Sequence, residues 1–140
     1  MILLPDVNVL VALMWESHLH HAAARHWFAR LDGDLVATCS VTQTGFVRVS
    51  SNPGVLEDAI TVREATAILS ALVNRSEHRF LPDDRGYIDN PLVPHDRLVG
   101  HRQVTDAHVI AIARAHDALV VSFDQGIKAL GGSSVQPLPV

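Results

Sequence analysis

Short apolar runs alternate along the chain with stretches whose apolar residues recur every three or four positions. The runs predict buried strands, namely Ile2–Leu4, Leu35–Cys39, His78–Leu81, Leu119–Phe123 and Val135–Leu138. The periodic stretches predict helices, starting at Val7 and then spanning about His18–Leu31, Ser40–Val49, 61–74, 105–116 and 125–130. Strands that alternate with helices favour a parallel sheet covered on both faces. The sequence therefore predicts an α/β fold, a three-layer α/β/α sandwich with a central parallel sheet.

Polar residues at the helix starts sharpen these boundaries. Thr61 and Thr105 are predicted N-caps, and Ser40 with Gln43 has the spacing of a capping box. Residues 83–103 carry two prolines and two glycines with few periodic apolar positions, which predicts a long loop. Loops of this length in compact domains are usually functional or mobile.

Composition narrows the class of protein. A chain of 140 residues, 48% hydrophobic and 19% charged, fits one folded domain, predicted as residues 1–140. Its one cysteine, Cys39, allows no disulfide within the chain, and neither a signal sequence nor a membrane span is visible. We therefore expect a cytoplasmic protein without a membrane partner. The net charge of −4 does not indicate a nucleic-acid binder, although ten of the eleven cationic residues are arginines.

Three aspartates stand where ligands commonly bind in α/β folds. Asp6 and Asp124 each follow a predicted strand, and the carboxyl ends of parallel strands share one edge of a sheet. Asp106 falls in the first turn of a predicted helix. The alternative interpretation is structural, because an aspartate caps a helix well and a first-turn acid gains from the helix dipole.

The three aspartates together favour a cation site. Clustered carboxylates repel one another unless a cation or a proton separates them. Hard oxygen ligands suit Mg²⁺ or Mn²⁺. Such a site orients water and stabilises charge on phosphate oxygens, so the sequence points to phosphoryl chemistry.

The chain resembles the PIN-domain ribonucleases, specifically the VapC-type toxins of bacterial toxin–antitoxin systems. The matching segments occur in family order over nearly the whole chain: Asp6–Leu10, His20–Ala24 with Trp27, Thr42–Asn52, Pro82–Asp84, Val104–His108 and Ser122–Asp124.

The resemblance implies a PIN-like fold with sheet order 3-2-1-4-5 and a Mg²⁺-dependent endoribonuclease that hydrolyses RNA phosphodiester bonds. It also implies a homodimer and neutralisation by a cognate VapB-type antitoxin. The family's metal ligands correspond to Asp6 and Asp106, with Asp124 completing the pocket directly or through water. We expect three neighbouring polar side chains to hydrogen-bond these acids, namely Asn8, Thr105 and Ser122. We also expect Arg48 and Arg102 to contact RNA phosphates, with surface salt bridges as the alternative role.

One position departs from the family pattern. Gln43 stands where the family usually has a glutamate, and glutamine keeps a carbonyl oxygen but loses the charge and the basicity. We therefore expect Gln43 to take the glutamate's place in the catalytic site and to leave an active nuclease that needs more metal. The alternative is a PIN-fold module that binds RNA or a partner with weak or no cleavage.

A phosphoacceptor receiver module is a rival of a different class. It would use Asp83 or Asp84 after the third strand, together with paired acids after the first strand and a lysine near the fifth. Asp6 stands alone, and Lys128 falls within a predicted helix. The sequence therefore favours the nuclease.

Overall fold

The structure, a computed structural model, describes residues 1–139, so Val140, the last residue of the predicted domain, lies outside the described part. Within residues 1–139, five strands form one sheet: β1 (Ile2–Pro5), β2 (Leu35–Thr38), β3 (His78–Phe80), β4 (Ala118–Ser122) and β5 (Val135–Pro137). The same residues form six α-helices: α1 (Val7–Met14), α2 (His21–Ala29), α3 (Ser40–Ser50), α4 (Val62–Val73), α5 (Val104–Ala115) and α6 (Gln125–Gly131).

All neighbouring strands are parallel, in the order β3-β2-β1-β4-β5. This confirms the predicted parallel sheet and the order that the resemblance implied. Strand β1 lies at the centre, where Pro5 pairs in register with Val121 of β4. The first and fourth strands therefore end side by side at one edge of the sheet.

Alternate residues of the central strands pack against opposite layers, as the two-residue period of a strand requires. Leu4 and Val120 belong to the core cluster formed with α5 and α6. Leu3 and Val121 belong to a cluster on the other face with residues of α1 and α2. A third cluster joins α1, α3 and α4. Helices thus cover both faces, which confirms the three-layer sandwich.

One predicted helix start and one predicted capping box are wrong, and local hydrogen bonds explain each. Helix α2 begins at His21 because the backbone N–H of His20 donates to His18 Nδ1 at 3.0 Å, which forms a turn before the helix. The N-cap of α3 is Cys39, whose backbone N–H donates to Thr42 Oγ1 at 3.0 Å. The capping box predicted for Ser40 with Gln43 is therefore not formed.

Of the two predicted threonine caps, one is confirmed. Thr61 Oγ1 accepts from the backbone N–H of Glu64, and the Glu64 carboxylate accepts from the backbone N–H of Thr61, both at 3.1 Å. Thr105 is not a cap, because α5 runs on directly from a 3₁₀ turn over His101–Gln103 and starts at Val104.

The long loop before α5 is anchored rather than loose. Asn90, only 5% exposed, donates through Nδ2 to the carbonyl of Gly86 at 2.7 Å and accepts from the backbone N–H of Leu92 at 3.0 Å. The Arg114 guanidinium of α5 donates to the carbonyl of Leu92 at 2.9 Å. Among residues 1–139, no helix has the length and apolar character needed to cross a membrane.

Helices α1 and α3 approach closely at Gly45. A Cβ at this position would lie 2.5 Å from Val7 Cγ2. Val7 directly follows Asp6, and Val41 and Thr42 of α3 line the same cavity as Asp6. The contact between Gly45 and Val7 therefore sets the distance between α1 and α3 across this cavity.

We predict that Gly45→Ala destabilises the protein. The gain in helix propensity, up to about 1 kcal/mol, is smaller than the typical overpacking cost of about 1–3 kcal/mol, because the β-branched Val7 has no low-energy rotamer change available. Chemical denaturation of Gly45→Ala and of the Val7→Ala/Gly45→Ala pair measures the effect. Relative to Val7→Ala alone, the added alanine should then be neutral or stabilising; an equal loss in both backgrounds would contradict the steric explanation.

Candidate carboxylate site

Asp6 is buried at the end of β1, where it is also the N-cap of α1. Its Oδ1 accepts from the backbone N–H of Val9 at 2.9 Å, and its Oδ2 accepts from the Ser122 hydroxyl. Its backbone N–H donates to the carbonyl of Val121 at 3.0 Å, which ties it to the neighbouring strand. Capping and site formation, offered as alternatives from the sequence, are thus compatible in one residue.

Asp124 occupies the matching place after β4. Its Oδ1 caps α6 by accepting from the backbone N–H of Gly126 at 2.7 Å. Its own backbone N–H donates to Ser122 Oγ at 2.9 Å, while that hydroxyl donates to Asp6. Ser122 therefore links the two acidic turns at the sheet edge.

Asp106 reaches the same place from α5. It lies in the first turn of that helix and is half-buried. The three aspartates line one cavity of about 160 Å³, whose other walls come from α1, α3, α5, α6 and β4: Val7, Asn8, Val41, Thr42, Thr105, Val109, Val120 and Ile127.

Negative charge is concentrated here, and among residues 1–139 no lysine, arginine or histidine forms a salt bridge with these three aspartates. Burial, followed by repulsion from Asp6 and Asp124, raises the pKa of Asp106 to about 6. Burial also raises the pKa of Asp6, with the Asp124 carboxylate adding to the rise and hydrogen bonds from Ser122 and Val9 opposing it. Apolar walls and clustered like charges both disfavour the ionised forms, so the cavity favours a cation.

The donor set fits a small hard cation held partly through water. Within residues 1–139, no group of three or more His, Cys, Asp or Glu side chains is arranged to hold a metal ion by itself. Two of the carboxylates are already used as helix caps. Mg²⁺ typically keeps several waters and takes one or two protein carboxylates, so this donor chemistry suits it without a complete protein cage.

Other predicted residues divide into two groups. Asn8 and Thr105 line the carboxylate cavity, and Ser122 hydrogen-bonds Asp6. Gln43 is not brought to the cavity: its Nε2 donates to Thr38 Oγ1 at 2.9 Å, and its side chain lines a groove between α3 and α4. Arg48 lines that groove and a cavity adjoining the carboxylates.

Arg102 is exposed in the 3₁₀ turn before α5 and is not among the described residues that line the carboxylate cavity. Sequence reasoning missed Thr42, which is 1% exposed and faces the cavity one turn into α3. The available signal was Gly45 three residues later, because a glycine within a helix often marks a close approach of another element.

Comparison with known proteins identifies the family. The model of the PIN domain family matches residues 3–133 of this chain. The chain belongs to the PIN domain family. This decides against the receiver module, which is a different family of α/β domains.

Relatives of this PIN domain include ribonucleases from Mycobacterium tuberculosis. Ribonuclease VapC38 is 49% identical over 125 residues, covering 89% of this chain and 86% of the relative. Ribonuclease VapC39 is 41% identical over 122 residues, covering 87% and 88%. These similarities confirm the resemblance to VapC proteins found in the sequence motifs.

Solved structures confirm the fold of this PIN domain. The crystal structure of Mycobacterium tuberculosis VapC20, described as a toxin that cleaves the sarcin–ricin loop, superposes with a TM-score of 0.68 at 17% identity, covering 96% of this chain and 99% of that one. The structure of VapBC2 from Rickettsia felis bound to a promoter DNA fragment gives a TM-score of 0.60 at 12% identity, covering 99% and 100%.

We predict that Asp106→Asn stabilises the metal-free protein above pH 6. The pKa of Asp106 in the folded state lies above its unfolded value of 3.8. The stability that the protonated side chain contributes to the fold is therefore fully present below pH 3.8 and is lost as the pH rises through about 6. Because solvent screens this half-buried group, the gain should be about 1–2 kcal/mol.

Thermal denaturation at pH 8 and at pH 4 in the presence of a chelator measures this effect. The two proteins should differ at pH 8 and converge at pH 4. A stabilisation that is equal at both pH values would show that charge repulsion is not its cause.

Proposed function

We propose that this protein is a metal-dependent endoribonuclease that hydrolyses RNA phosphodiester bonds and acts as the toxin of a type II toxin–antitoxin pair. The observation that carries this proposal is the convergence of Asp6, Asp106 and Asp124 on one cavity in a PIN domain. Relatives named as VapC ribonucleases at up to 49% identity support it. We further propose that residues 1–140 form a single domain and that the protein acts in the cytoplasm.

Within this proposal Asp6, Asp106 and Asp124 would hold Mg²⁺, or Mn²⁺ in its place, partly through bound water. The bound cation supplies stabilisation for negative charge that develops on the phosphate oxygens. Ser122 fixes the Asp6 carboxylate by donating to its Oδ2. Asn8 and Thr105 add polar groups to the rim, and Val41 and Val109 limit the water around the acids.

The partners proposed for this chain are an RNA substrate, a cognate VapB-type antitoxin and a second copy of the chain. The Rickettsia felis neighbour is a VapBC complex, which supports the antitoxin as a partner.

Replacing Asp6 or Asp106 with asparagine should lower RNA cleavage in Mg²⁺ by at least about 100-fold, because each change removes a charge that holds the cation. Cleavage of total RNA with mapping of the new ends, with and without chelator, measures the loss. Asp32→Asn, an exposed aspartate in the turn before β2, is the matched control and should cleave like the wild type.

Two results would argue against the nuclease. Cleavage that persists in chelator and in both site variants would come from a contaminant. RNA binding by a well-folded wild-type protein that cuts nothing would instead support the binding-module alternative raised for Gln43.

The variant Gln43→Glu tests whether position 43 supplies a metal ligand, as the family's glutamate implies, or lies outside the site, as the structure has it. Since Gln43 faces Thr38 rather than the cavity, we predict that the variant needs the same Mg²⁺ concentration for half-maximal cleavage as the wild type. Titration of cleavage with Mg²⁺ and Mn²⁺ measures this requirement. A clear decrease in the metal needed by Gln43→Glu would show that position 43 supplies a metal ligand after all.

A further inference from the structure

A second cavity, of about 420 Å³, adjoins the carboxylate cavity. Val41 and Thr105 line both cavities, so the two share a wall and lie side by side. The second cavity is walled by α3, the long loop and the start of α5, through Val41, Thr44, Arg48, Tyr87, Val104, Thr105 and His108. A ligand that spans both cavities would place one part at the aspartates and the next part here.

One wall of this second cavity is aromatic and held in place. The Tyr87 ring packs edge to face against His108, with centroids 6.1 Å apart, and against His95, with centroids 5.5 Å apart. His108 Nε2 lies 2.8 Å from Asp83 Oδ2. Tyr87 also packs against the core formed with α5 and α6, and Asn90 anchors its loop. The wall is thus preorganised.

The same cavity carries hydrogen-bond donors that the described residues leave unused. Within residues 1–139, the Arg48 guanidinium, the Tyr87 hydroxyl and the Thr105 hydroxyl donate to no other residue. Arg48 is the only lysine, arginine, aspartate or glutamate among the described residues of the lining. The cavity therefore offers donors, one positive charge and an aromatic surface, and no carboxylate.

These features select one kind of ligand within RNA. Unpaired bases stack on aromatic side chains, and they are read by hydrogen bonds to their edges. A guanidinium fork matches two adjacent acceptors, which guanine presents as O6 and N7 and an unpaired cytosine as N3 and O2, whereas adenine and uracil have no such pair. Of these two bases, guanine has the larger ring system to stack on Tyr87, so the cavity suits guanine best.

We propose that this second cavity is a subsite for an unpaired guanine in the nucleotide next to the scissile phosphate. Tyr87 contacts the base, Arg48 binds its O6 and N7 edge, and Thr105 lies between the base and the aspartates. The subsite rests on the proposed nuclease function, and it adds a base preference that this function alone does not require.

The test is the sequence of the cut sites in a random single-stranded RNA pool cleaved with Mg²⁺. The wild type should enrich guanine at one position beside the cut. Arg48→Lys keeps the charge but loses the fork, so this enrichment should fall about 5-fold or more. Tyr87→Leu should lower cleavage at guanine sites by about 5- to 150-fold. Tyr87→Phe keeps the ring packed on the core and removes only the hydroxyl, so it should lower cleavage at guanine sites less than Tyr87→Leu does.

Arg25→Lys is the matched control, because Arg25 is exposed on α2 and lines neither cavity. Its cut-site profile should equal that of the wild type. No guanine enrichment in the wild type, or enrichment that survives Arg48→Lys, overturns the subsite. Uniformly slower cutting with unchanged enrichment in Arg48→Lys would make Arg48 a phosphate contact and would likewise overturn it.

A binding measurement separates the subsite from the nuclease function. Fluorescence anisotropy in chelator compares a labelled nine-nucleotide oligouridylate with the same strand carrying one central guanosine. The guanosine strand should bind at least 5-fold tighter to the wild type, and this advantage should disappear in Arg48→Lys. A wild type that prefers guanosine but cuts nothing refutes only the nuclease, whereas equal binding of both strands refutes the subsite.

Discussion

The parallel pairing of β1 with β4 is the constraint on which the rest of this molecule depends. Because Pro5 and Val121 are in register, the residues that follow the two strands leave the sheet together, and both acidic turns share Ser122. Like charges brought together in an apolar setting are costly. The fold offsets part of this cost by giving Asp6 and Asp124 backbone N–H groups at helix starts, where negative charge is favoured.

Capping and cation binding therefore draw on the same carboxylates. Each cap uses one oxygen of its aspartate, and the Ser122 hydroxyl uses the second oxygen of Asp6. Asp106 makes no such bond among the described residues, and it carries the raised pKa of about 6. Asp106 is thus the acid of this site whose charge no hydrogen bond within residues 1–139 offsets, while burial raises the pKa of Asp6 as well.

Strand and helix types, the layer order and the three aspartates could be predicted because apolar periodicity and strand ends are local signals. The parallel register that brings Asp6 to Asp124 then follows from topology. The prediction of Thr105 as the N-cap of α5 was wrong because a 3₁₀ turn leads directly into Val104, and such continuity has no sequence signature. Thr42 and the tilt of α3 depend on the contact of Gly45 with Val7, which is a tertiary feature.

The face of α3 on which a residue lies determines which cavity or groove its side chain lines, as Gln43 shows. Val41 lines the two cavities toward α5, and Thr44 and Arg48 line both the second cavity and the groove toward α4. Gln43, Val47 and Ser51 line only that groove. A side chain at position 43 therefore belongs to the outer groove unless α3 rotates, and the packing of Gly45 on Val7 opposes that rotation. The same rotation would move Arg48 away from Tyr87. The acidic cavity and the neighbouring aromatic cavity thus depend on a single helix orientation.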